Sequence, residues 1–197
     1  MSLVDWNEQW ALFAENFHEG RAHIDLTRFG GAGALLLNPG PGFGDLSHST
    51  TYLMLHMLQR HVQGQSIVDI GTGSGILALA ALRLGAIGAV GVDIDPDAVA
   101  HAQDNNALNG LGAQFQLGPL NHPPLQSIFL MNMIFPEQKG VNPAQWNGDA
   151  KKWITSGILK EHRAVYLTQT ALWGWKVEEE HERQGWLGFV FSLNLSH

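Results

Sequence analysis

A chain of 197 residues, 45% of them hydrophobic and 15% charged, has the length and composition of one globular α/β domain with a sizeable core. It contains no cysteine, which excludes disulfide scaffolds and cysteine-ligated zinc sites. Because 18 Asp and Glu outnumber 11 Lys and Arg, for a formal charge of −7, the basic surplus that binds phosphates is missing, and we expect no nucleic acid partner.

Neither a secretory signal nor a membrane span is expected. The first ten residues, MSLVDWNEQW, lack the basic-then-apolar order of a signal peptide. The most apolar stretch, Ile76–Val92, is rich in glycine, contains Arg83 and is too short to span a bilayer. We therefore expect a cytoplasmic protein that does not bind a membrane.

The sequence gives only weak signals for the secondary structure at the start of the chain. Residues 1–30 are expected to form an irregular lead-in with one short helix around Asn7–Phe17, and the domain is expected to occupy residues 31–197. The domain would begin with a strand at Ala34–Asn38, a Pro/Gly loop at Asn38–Asp45 and a helix at Ser49–His61, where apolar residues recur with the helical period.

Strands and helices alternate regularly after residue 65. The apolar run Ser66–Ile70 predicts a buried parallel strand, and Asp95 with Pro96 predicts the start of a helix that would end at Asn109-Gly110. The other predicted elements are a helix at Gly75–Leu84, strands at Ala89–Asp93, Gln114–Leu117, Ser127–Asn132 and Trp153–Ser156, a helix at Lys160–Leu172, and a hairpin of Trp175–Glu179 and Trp186–Leu193. This order predicts an α/β fold, a doubly wound, mostly parallel sheet with an antiparallel C-terminal hairpin.

A glycine-rich loop joins the first strand of this alternation to its helix. In DIGTGSG, residues 69–75, glycine permits positive φ and lets a ligand approach the backbone, beside the unpaired N–H groups of a helix start. About twenty residues later, Asp93 ends the next strand, where a carboxylate can accept both hydroxyls of a ribose. We therefore predict a cofactor site that comprises Asp69, Gly71, Gly73, Gly75 and Asp93.

The loop suits S-adenosylmethionine (AdoMet) better than a dinucleotide. The dinucleotide fingerprint places its third Gly or Ala five residues after the first, and this chain has Ile76 there. A diphosphate would also gain from nearby basic residues, and only Arg83 lies between the loop and Asp93. A tight strand–helix turn without a ligand is the remaining alternative, which the strand context and the spaced acid disfavour.

The chain also resembles, over residues 5–193, the PrmA family of bacterial methyltransferases that modify a protein of the large ribosomal subunit. The matching segments are DWNEQW (5–10), LNPGPGFGDLSHSTT (37–51), DIGTGSGILALAALRLGA (69–86), VGVDIDPDAV (90–99), NNALNG (105–110), MNMI (131–134) and SGIL (156–159). The second is similar to the family motif D-P-G-x-A-F-G-T-G-x-H-x-T-T, which is not general among methyltransferases. The resemblance implies a Rossmann-like class I methyltransferase fold with a seven-stranded sheet.

The resemblance further implies a site and a reaction. Its cofactor contacts would be Thr51, Gly71, Asp93 and Asn132, with AdoMet as donor and S-adenosylhomocysteine as product. Asn132 is the predicted catalytic residue, because an amide carbonyl there can accept a hydrogen bond from an attacking amine and orient its lone pair. The alternatives are a helix cap for Thr51 and a strand-end turn for Asn132. His48 is expected to shape its loop rather than to carry a proton.

Three departures from the family bear on the substrate. We expect the family's N-terminal substrate-recruiting domain to be absent. Asp45-Leu46 stands where the family motif has Thr-Gly, which removes a flexible hinge and adds a charge. The stretch MIFPEQKGVNPAQWNGDAKKW, residues 133–153, has no helical apolar period, whereas the family has an amphipathic helix there.

These observations predict an AdoMet-dependent N-methyltransferase that acts on an amine nitrogen of a protein, with a ribosomal protein as the acceptor that the resemblance implies. The alternatives are a small-molecule or other-protein methyltransferase on the same scaffold, a non-catalytic AdoMet-binding or interaction domain, and an NAD-dependent oxidoreductase. No metal is expected, because the pairs His18/His23 and His56/His61 miss the i, i+4 spacing of helical zinc sites.

Overall fold

A computed structural model of the chain describes residues 5–14, 16–120, 122–146 and 149–194. The helices are α1 (Trp6–Phe13), α2 (Ser49–Leu58), α3 (Ile76–Arg83), α4 (Pro96–Asn109), α5 (Phe135–Val141) and α6 (Arg163–Leu172). The strands are β1 (Phe17–His18), β2 (Arg21–Asp25), β3 (Ala34–Leu37), β4 (Ser66–Ile70), β5 (Gly88–Asp93), β6 (Gln114–Leu117), β7 (Ser127–Asn132), β8 (Ala150–Leu159), β9 (Trp175–Arg183) and β10 (Trp186–Leu193).

The central sheet has seven strands in the order β6-β5-β4-β7-β8-β10-β9. The pairs from β6 to β8 are parallel, and β10 is antiparallel to both β8 and β9. This confirms the predicted α/β fold with its antiparallel C-terminal hairpin. The strand predicted at Trp153–Ser156 is longer than expected and runs from Ala150 to Leu159.

Helices cover both faces of this sheet. On one face, α2, α3 and α4 pack a mainly aliphatic core against the strands. On the other, α5 and α6 close a core rich in aromatic residues, including Trp153, Tyr166, Phe189 and Phe191. In the described part of the chain, no helix combines the length and the hydrophobicity needed to cross a bilayer.

The segment before residue 31 is more regular than expected. The predicted helix at Asn7–Phe17 corresponds to α1, which ends at Phe13, and β1, β2 and β3 form a small antiparallel sheet. The expectation that residues 1–30 are irregular outside one helix was therefore wrong, since this segment contains β1 and β2, and β2 pairs with β3. These strands have two to five residues, too few for a clear alternating pattern.

A short helix forms after Asn132 although the sequence has no helical apolar period there: α5 covers Phe135–Val141, and a 3-10 turn follows at Pro143–Trp146. Pro136 lies in the first turn of α5, where its missing N–H breaks no helical hydrogen bond. Asn142 ends the helix in the left-handed conformation, at φ 53°.

One face of α4 holds the open edge of the small sheet. Asn109 accepts from Leu36 N–H at 3.0 Å and donates to Leu36 C=O at 2.7 Å. Asn105 accepts from Asn38 N–H at 2.8 Å and donates to Ser74 C=O at 2.9 Å. These side chains, four residues apart, lie on one side of the helix, so α4 ties β3 and the following loop to the glycine loop.

We expect Asn105→Ala to lower the free energy of unfolding by about 2–4 kcal/mol. The change leaves two backbone groups without partners beside a fully buried position, at about 1–3 kcal/mol for each buried polar group. Urea denaturation followed by circular dichroism measures the loss. Asp104→Ala, at an exposed position of the same helix, should change stability by less than about 0.5 kcal/mol. Equal losses in the two variants would contradict the role of Asn105.

Candidate functional site

A cavity of ≈ 980 Å³ lies at the carboxyl edge of the parallel strands. The strand order reverses at this edge, since β5 lies on one side of β4 and β7 on the other. Open α/β sheets bind their ligands at such topological switch points. The volume is at the upper end of the range for small-molecule sites.

Two glycines of the loop after β4 line this cavity. Gly71 and Gly73 have φ of 67° and 56°, a region that glycine enters without strain. A Cβ on Gly71 would lie 2.7 Å from Met133 Sδ, and one on Gly73 would lie 2.6 Å from Phe43 O. The third glycine, Gly75, does not line the cavity; its Cα faces Phe115 and Ala102, so the structure gives it a packing role.

Asp93 lies beside this loop, as its spacing predicted. One carboxylate oxygen accepts from Gly73 N–H at 3.0 Å, and the other accepts from Asp95 N–H at 3.1 Å. Asp93 lines the cavity, so its carboxylate is oriented by two backbone donors before any ligand arrives. Its ligand role stays a prediction.

Asp69 supports the loop from below the cavity. It is buried and accepts from the Thr72 hydroxyl at 2.7 Å through Oδ2, while Oδ1 has no hydrogen bond of standard geometry to the described residues. Burial raises the pKa of Asp69 to about 7, against the lowering effects of the Thr72 hydroxyl and the nearby Ala78 N–H. The structure therefore gives Asp69 a supporting position, off the cavity wall.

The loop after β3 and the first turn of α2 form a second wall, with Phe43 and His48 from the loop and Thr50 from the helix. His48 caps α2, and its Nδ1 lies 2.8 Å from the Thr50 hydroxyl. The ring contacts Phe43 and Trp186 edge-on, and burial lowers its pKa despite the opposing charge of Asp45. This packing agrees with the predicted shaping role of His48.

Thr51 lies off the cavity. Its side chain is completely buried, and its Oγ1 has no partner among the described residues. The neighbouring Thr50 lines the cavity instead. The prediction of Thr51 as a cofactor contact has no support from this placement and stays untested.

Asn132 ends β7 on the cavity wall, and its Oδ1 is buried with no partner in the described part of the chain. A buried amide oxygen without a partner is costly, so this position suits a ligand that donates a hydrogen bond. The backbone beyond it is held by Gln138, which donates to Met133 O at 2.6 Å and to Ser156 O at 3.0 Å. The Tyr166 hydroxyl donates to Gln138 Oε1 at 2.6 Å and fixes the amide.

The loop that forms the second wall carries one strained residue. Leu46 has φ 77°, a left-handed conformation that glycine adopts more readily than leucine. Glycine is the residue that the matched motif has at this position. The loop therefore keeps the turn without the glycine.

The cavity has an acidic balance. The ionisable side chains among its described lining residues are Asp93, Glu137 and His48, without lysine or arginine. A diphosphate would find no cationic side chain there, whereas a cationic ligand would be favoured. In the ranges that the structure describes, no three His, Asp or Glu side chains are grouped so that they could hold a metal ion.

Several lining residues were not found from the sequence. They are separated widely along the chain and are brought together by the sheet: Pro41, Ile94, Leu120, Glu137, Trp146, Gly157 and Trp186. The sequence does contain one signal, a glycine near the end of a strand: Gly157 lies in β8 at φ 97°, where a Cβ would collide with Met133 O. The predicted Gly71, Gly73, Asp93 and Asn132 meet on one cavity.

Comparison with known proteins gives one consistent result. A family model described as ribosomal protein L11 methyltransferase (PrmA) matches residues 27–194. A protein of that name from Chromobacterium violaceum is 43% identical over 136 residues, or 64% of this chain and 44% of its own. Another, from Dictyoglomus thermophilum, is 30% identical over 94% of this chain and 65% of its own.

The crystal structure of a ribosomal protein L11 methylase from Lactobacillus delbrueckii subsp. bulgaricus is also similar. The TM-score is 0.72 at 28% sequence identity, and the match covers 80% of this chain and 83% of that one. The chain spans between about a third and two thirds of the length of the curated relatives it matches.

We expect Asp69 to make the fold less stable as pH rises through 7. A carboxyl whose folded pKa lies near 7 and whose unfolded pKa lies near 3.8 favours the folded state below pH 4 and loses that contribution as pH rises through 7. Between pH 5 and pH 8 the loss is about 2–3 kcal/mol. Urea denaturation at both pH values measures it, and Asp69→Asn should remove this part of the pH dependence. An unchanged pH profile in Asp69→Asn would contradict the raised pKa.

Proposed function

The chain belongs to the PrmA family of ribosomal protein L11 methyltransferases, and we propose that it is an AdoMet-dependent methyltransferase that modifies an amine nitrogen of a protein. The observation that carries this proposal is the convergence of Gly71, Gly73, Asp93 and Asn132 on one cavity. Each of these residues offers a contact that a different part of AdoMet requires.

The adenosine part of AdoMet fits the region around β5. Asp93 would accept hydrogen bonds from both ribose hydroxyls, since two backbone N–H groups already orient its carboxylate. Ile94 is 87% exposed and lines the cavity together with Val92 and Leu120. An apolar surface left open beside a ribose-binding acid suits a flat base such as adenine.

The methionine part of AdoMet fits the glycine loop better than a diphosphate does. The absence of Lys and Arg among the described lining residues disfavours the NAD-dependent alternative and suits a sulfonium cation. Ile76, which occupies the third position of the dinucleotide fingerprint, is 2% exposed and packs in the core. The Ile76 side chain therefore fills core space that the Gly or Ala of a dinucleotide-binding loop would leave empty.

When bound, AdoMet would supply an electrophilic methyl group: an amine nitrogen would bond to that carbon as the carbon–sulfur bond breaks, S-adenosylhomocysteine would leave, and the methylated nitrogen would lose a proton to solvent. The contribution of this chain is to hold the amine in line and unprotonated. The unpartnered Oδ1 of Asn132 can accept a hydrogen bond from the amine N–H and so orient the lone pair of the amine nitrogen. Desolvation in the cavity would lower the pKa of a lysine amine toward 7. Glu137, on the cavity lining, would attract the acceptor earlier, while its amine is still a charged ammonium group.

A protein acceptor is supported by exposed apolar side chains on the cavity lining and by the names of the relatives of this chain. The cavity lining includes Phe43, which is 55% exposed, and Ile134, which is 48% exposed. Exposed apolar side chains on a cavity lining can pack against the backbone and the alkyl stem of a lysine on a partner protein. The curated relatives are named for ribosomal protein L11, which makes a bacterial L11 the first acceptor to test.

We expect Asp93→Ala to weaken the binding of S-adenosylhomocysteine about ten- to a hundred-fold, because two hydrogen bonds to a charged group are lost. Isothermal titration calorimetry measures the dissociation constant. Asp97→Ala removes the same charge from an exposed position nearby and should leave binding within about two-fold. Equal affinities in wild type and Asp93→Ala, with the fold intact by circular dichroism, would contradict the ribose contact.

A methyl-transfer assay, combined with the same calorimetry, distinguishes a catalytic role of Asn132 from a cofactor-binding role. In Asn132→Ala, methyl transfer from labelled AdoMet to purified L11 should slow far more than S-adenosylhomocysteine binding weakens. Loss of binding in a folded Asn132→Ala would make Asn132 a cofactor residue first. Binding by the wild-type chain with no transfer to L11, polylysine or small amines would instead favour the non-catalytic AdoMet-binding domain.

A further inference from the structure

A buried histidine, His101, joins α4 to the loop after β3. Its ring is bonded on both nitrogens to backbone of that loop: Nε2 lies 2.7 Å from Asn38 O, and Gly42 N–H donates to Nδ1 at 3.1 Å. A Cβ on Gly40 would lie 2.6 Å from the ring. The side chain is 6% exposed, so the loop wraps directly around the imidazole.

These two bonds define one protonation state. Asn38 O can only accept, so Nε2 must carry a hydrogen, and Gly42 N–H can only donate, so Nδ1 must be bare. The neutral ring satisfies both partners. A protonated ring would put the Nδ1 hydrogen against Gly42 N–H, which breaks that bond and leaves two buried donors facing each other.

The consequence reaches the cavity through backbone contacts. Gly42 lines the cavity, and a Cβ on it would lie 2.6 Å from Gly73 O. Ser74 N–H donates to Phe43 O at 3.0 Å, and Ser74 Oγ donates to Gly44 O at 2.7 Å. Gly73 N–H in turn holds Asp93. A displacement of Gly42 would therefore move the groups assigned to the adenosyl ligand.

We propose that His101 is a positioning residue for the adenosyl site and that only its neutral form holds the loop in the binding conformation. The proposal rests on the proposed function, because the ligand is the one assigned there. His101 contacts no ligand itself. It acts on affinity through Gly42 and Gly73.

The surroundings favour the neutral ring. Burial lowers the pKa of His101, and the Asn38 carbonyl and the charge of Asp104, on the same helix, oppose this effect. From α1, the indole of Trp10 meets the ring edge-on at 5.8 Å and donates to Gly40 O at 3.1 Å. The 38–42 segment has no ionisable side chain. Because the pKa of the folded ring is lowered, the contribution of His101 to fold stability and to ligand affinity is present while the ring is neutral and is lost as pH falls through that pKa, which is opposite in sign to the contribution of Asp69.

The test is calorimetric titration with S-adenosylhomocysteine at pH 8, 7, 6 and 5. The wild-type dissociation constant should rise as pH falls below 7, with a slope that approaches about ten-fold per pH unit once His101 is protonated, as expected when one proton competes with binding. In His101→Gln, which keeps a donor and an acceptor but does not titrate, that rise should shrink to less than about three-fold. The same pH profile in both proteins would overturn the proposal.

The matched control is His48→Gln. His48 lines the cavity and also has a lowered pKa, so a pH effect that came from it would disappear in this variant. We expect the wild-type rise below pH 7 to persist in His48→Gln. Its disappearance there, with persistence in His101→Gln, would assign the effect to His48 and contradict the proposal.

A second measurement needs no ligand and separates this proposal from the proposed function. In the ligand-free protein at pH 7, nitrogen-15 NMR should show His101 as the neutral Nε2–H tautomer with a pKa below 6.5. A protonated ring or the Nδ1–H tautomer would overturn the proposal. If S-adenosylhomocysteine bound at no pH, the proposed function would fail and the positioning role with it, whatever the tautomer.

Discussion

The site depends on a contact between two backbone segments with no side chain between them. Gly42, in the loop after β3, lies against Gly73, in the loop after β4, so closely that a Cβ on either would enter the other segment's backbone. Hydrogen bonds from Ser74 to Phe43 O and Gly44 O fix the register of the two loops. Gly73 N–H also orients Asp93, so the loop after β3, the glycine loop and Asp93 are connected to one another. A side chain added at the contact would displace all three.

One helix holds these connected loops in place from outside. α4 starts directly after the Asp93 turn, capped by Asp95, and its buried polar face bonds the backbone of β3 and of the following loop through His101, Asn105 and Asn109. The polar side chains here replace a missing neighbouring strand, since β3 is paired with β2 on one edge only. Buried hydrogen bonds of this kind are specific in geometry and costly to break, so they keep the loop in register.

Local signals in the sequence predicted the parts of the fold that local physics determines. The glycine loop, the apolar run of β4 and the Asp95–Pro96 helix start each depend on residues next to one another, and all three were predicted correctly. The misses depend on distant partners. The β1–β2 strands depend on pairing with β3, and α5 has in its first turn a proline, Pro136, that looks like a helix breaker. The packing of α2 likewise decides that Thr50 lines the cavity and Thr51 does not, and the cofactor role of Thr51 stays a prediction. The bonds of His101 lie about sixty residues apart in the chain, so no periodicity reports them.

The central claim is that this backbone-defined cavity binds an adenosyl sulfonium and not a dinucleotide. Calorimetric titration of the wild-type chain with AdoMet, S-adenosylhomocysteine and NAD tests it most directly. We expect micromolar binding of the first two and none of NAD, because Asp93 offers a ribose contact and the described cavity lining offers no cation for a diphosphate. Binding of NAD alone, or of none of the three by a folded protein, would contradict the claim.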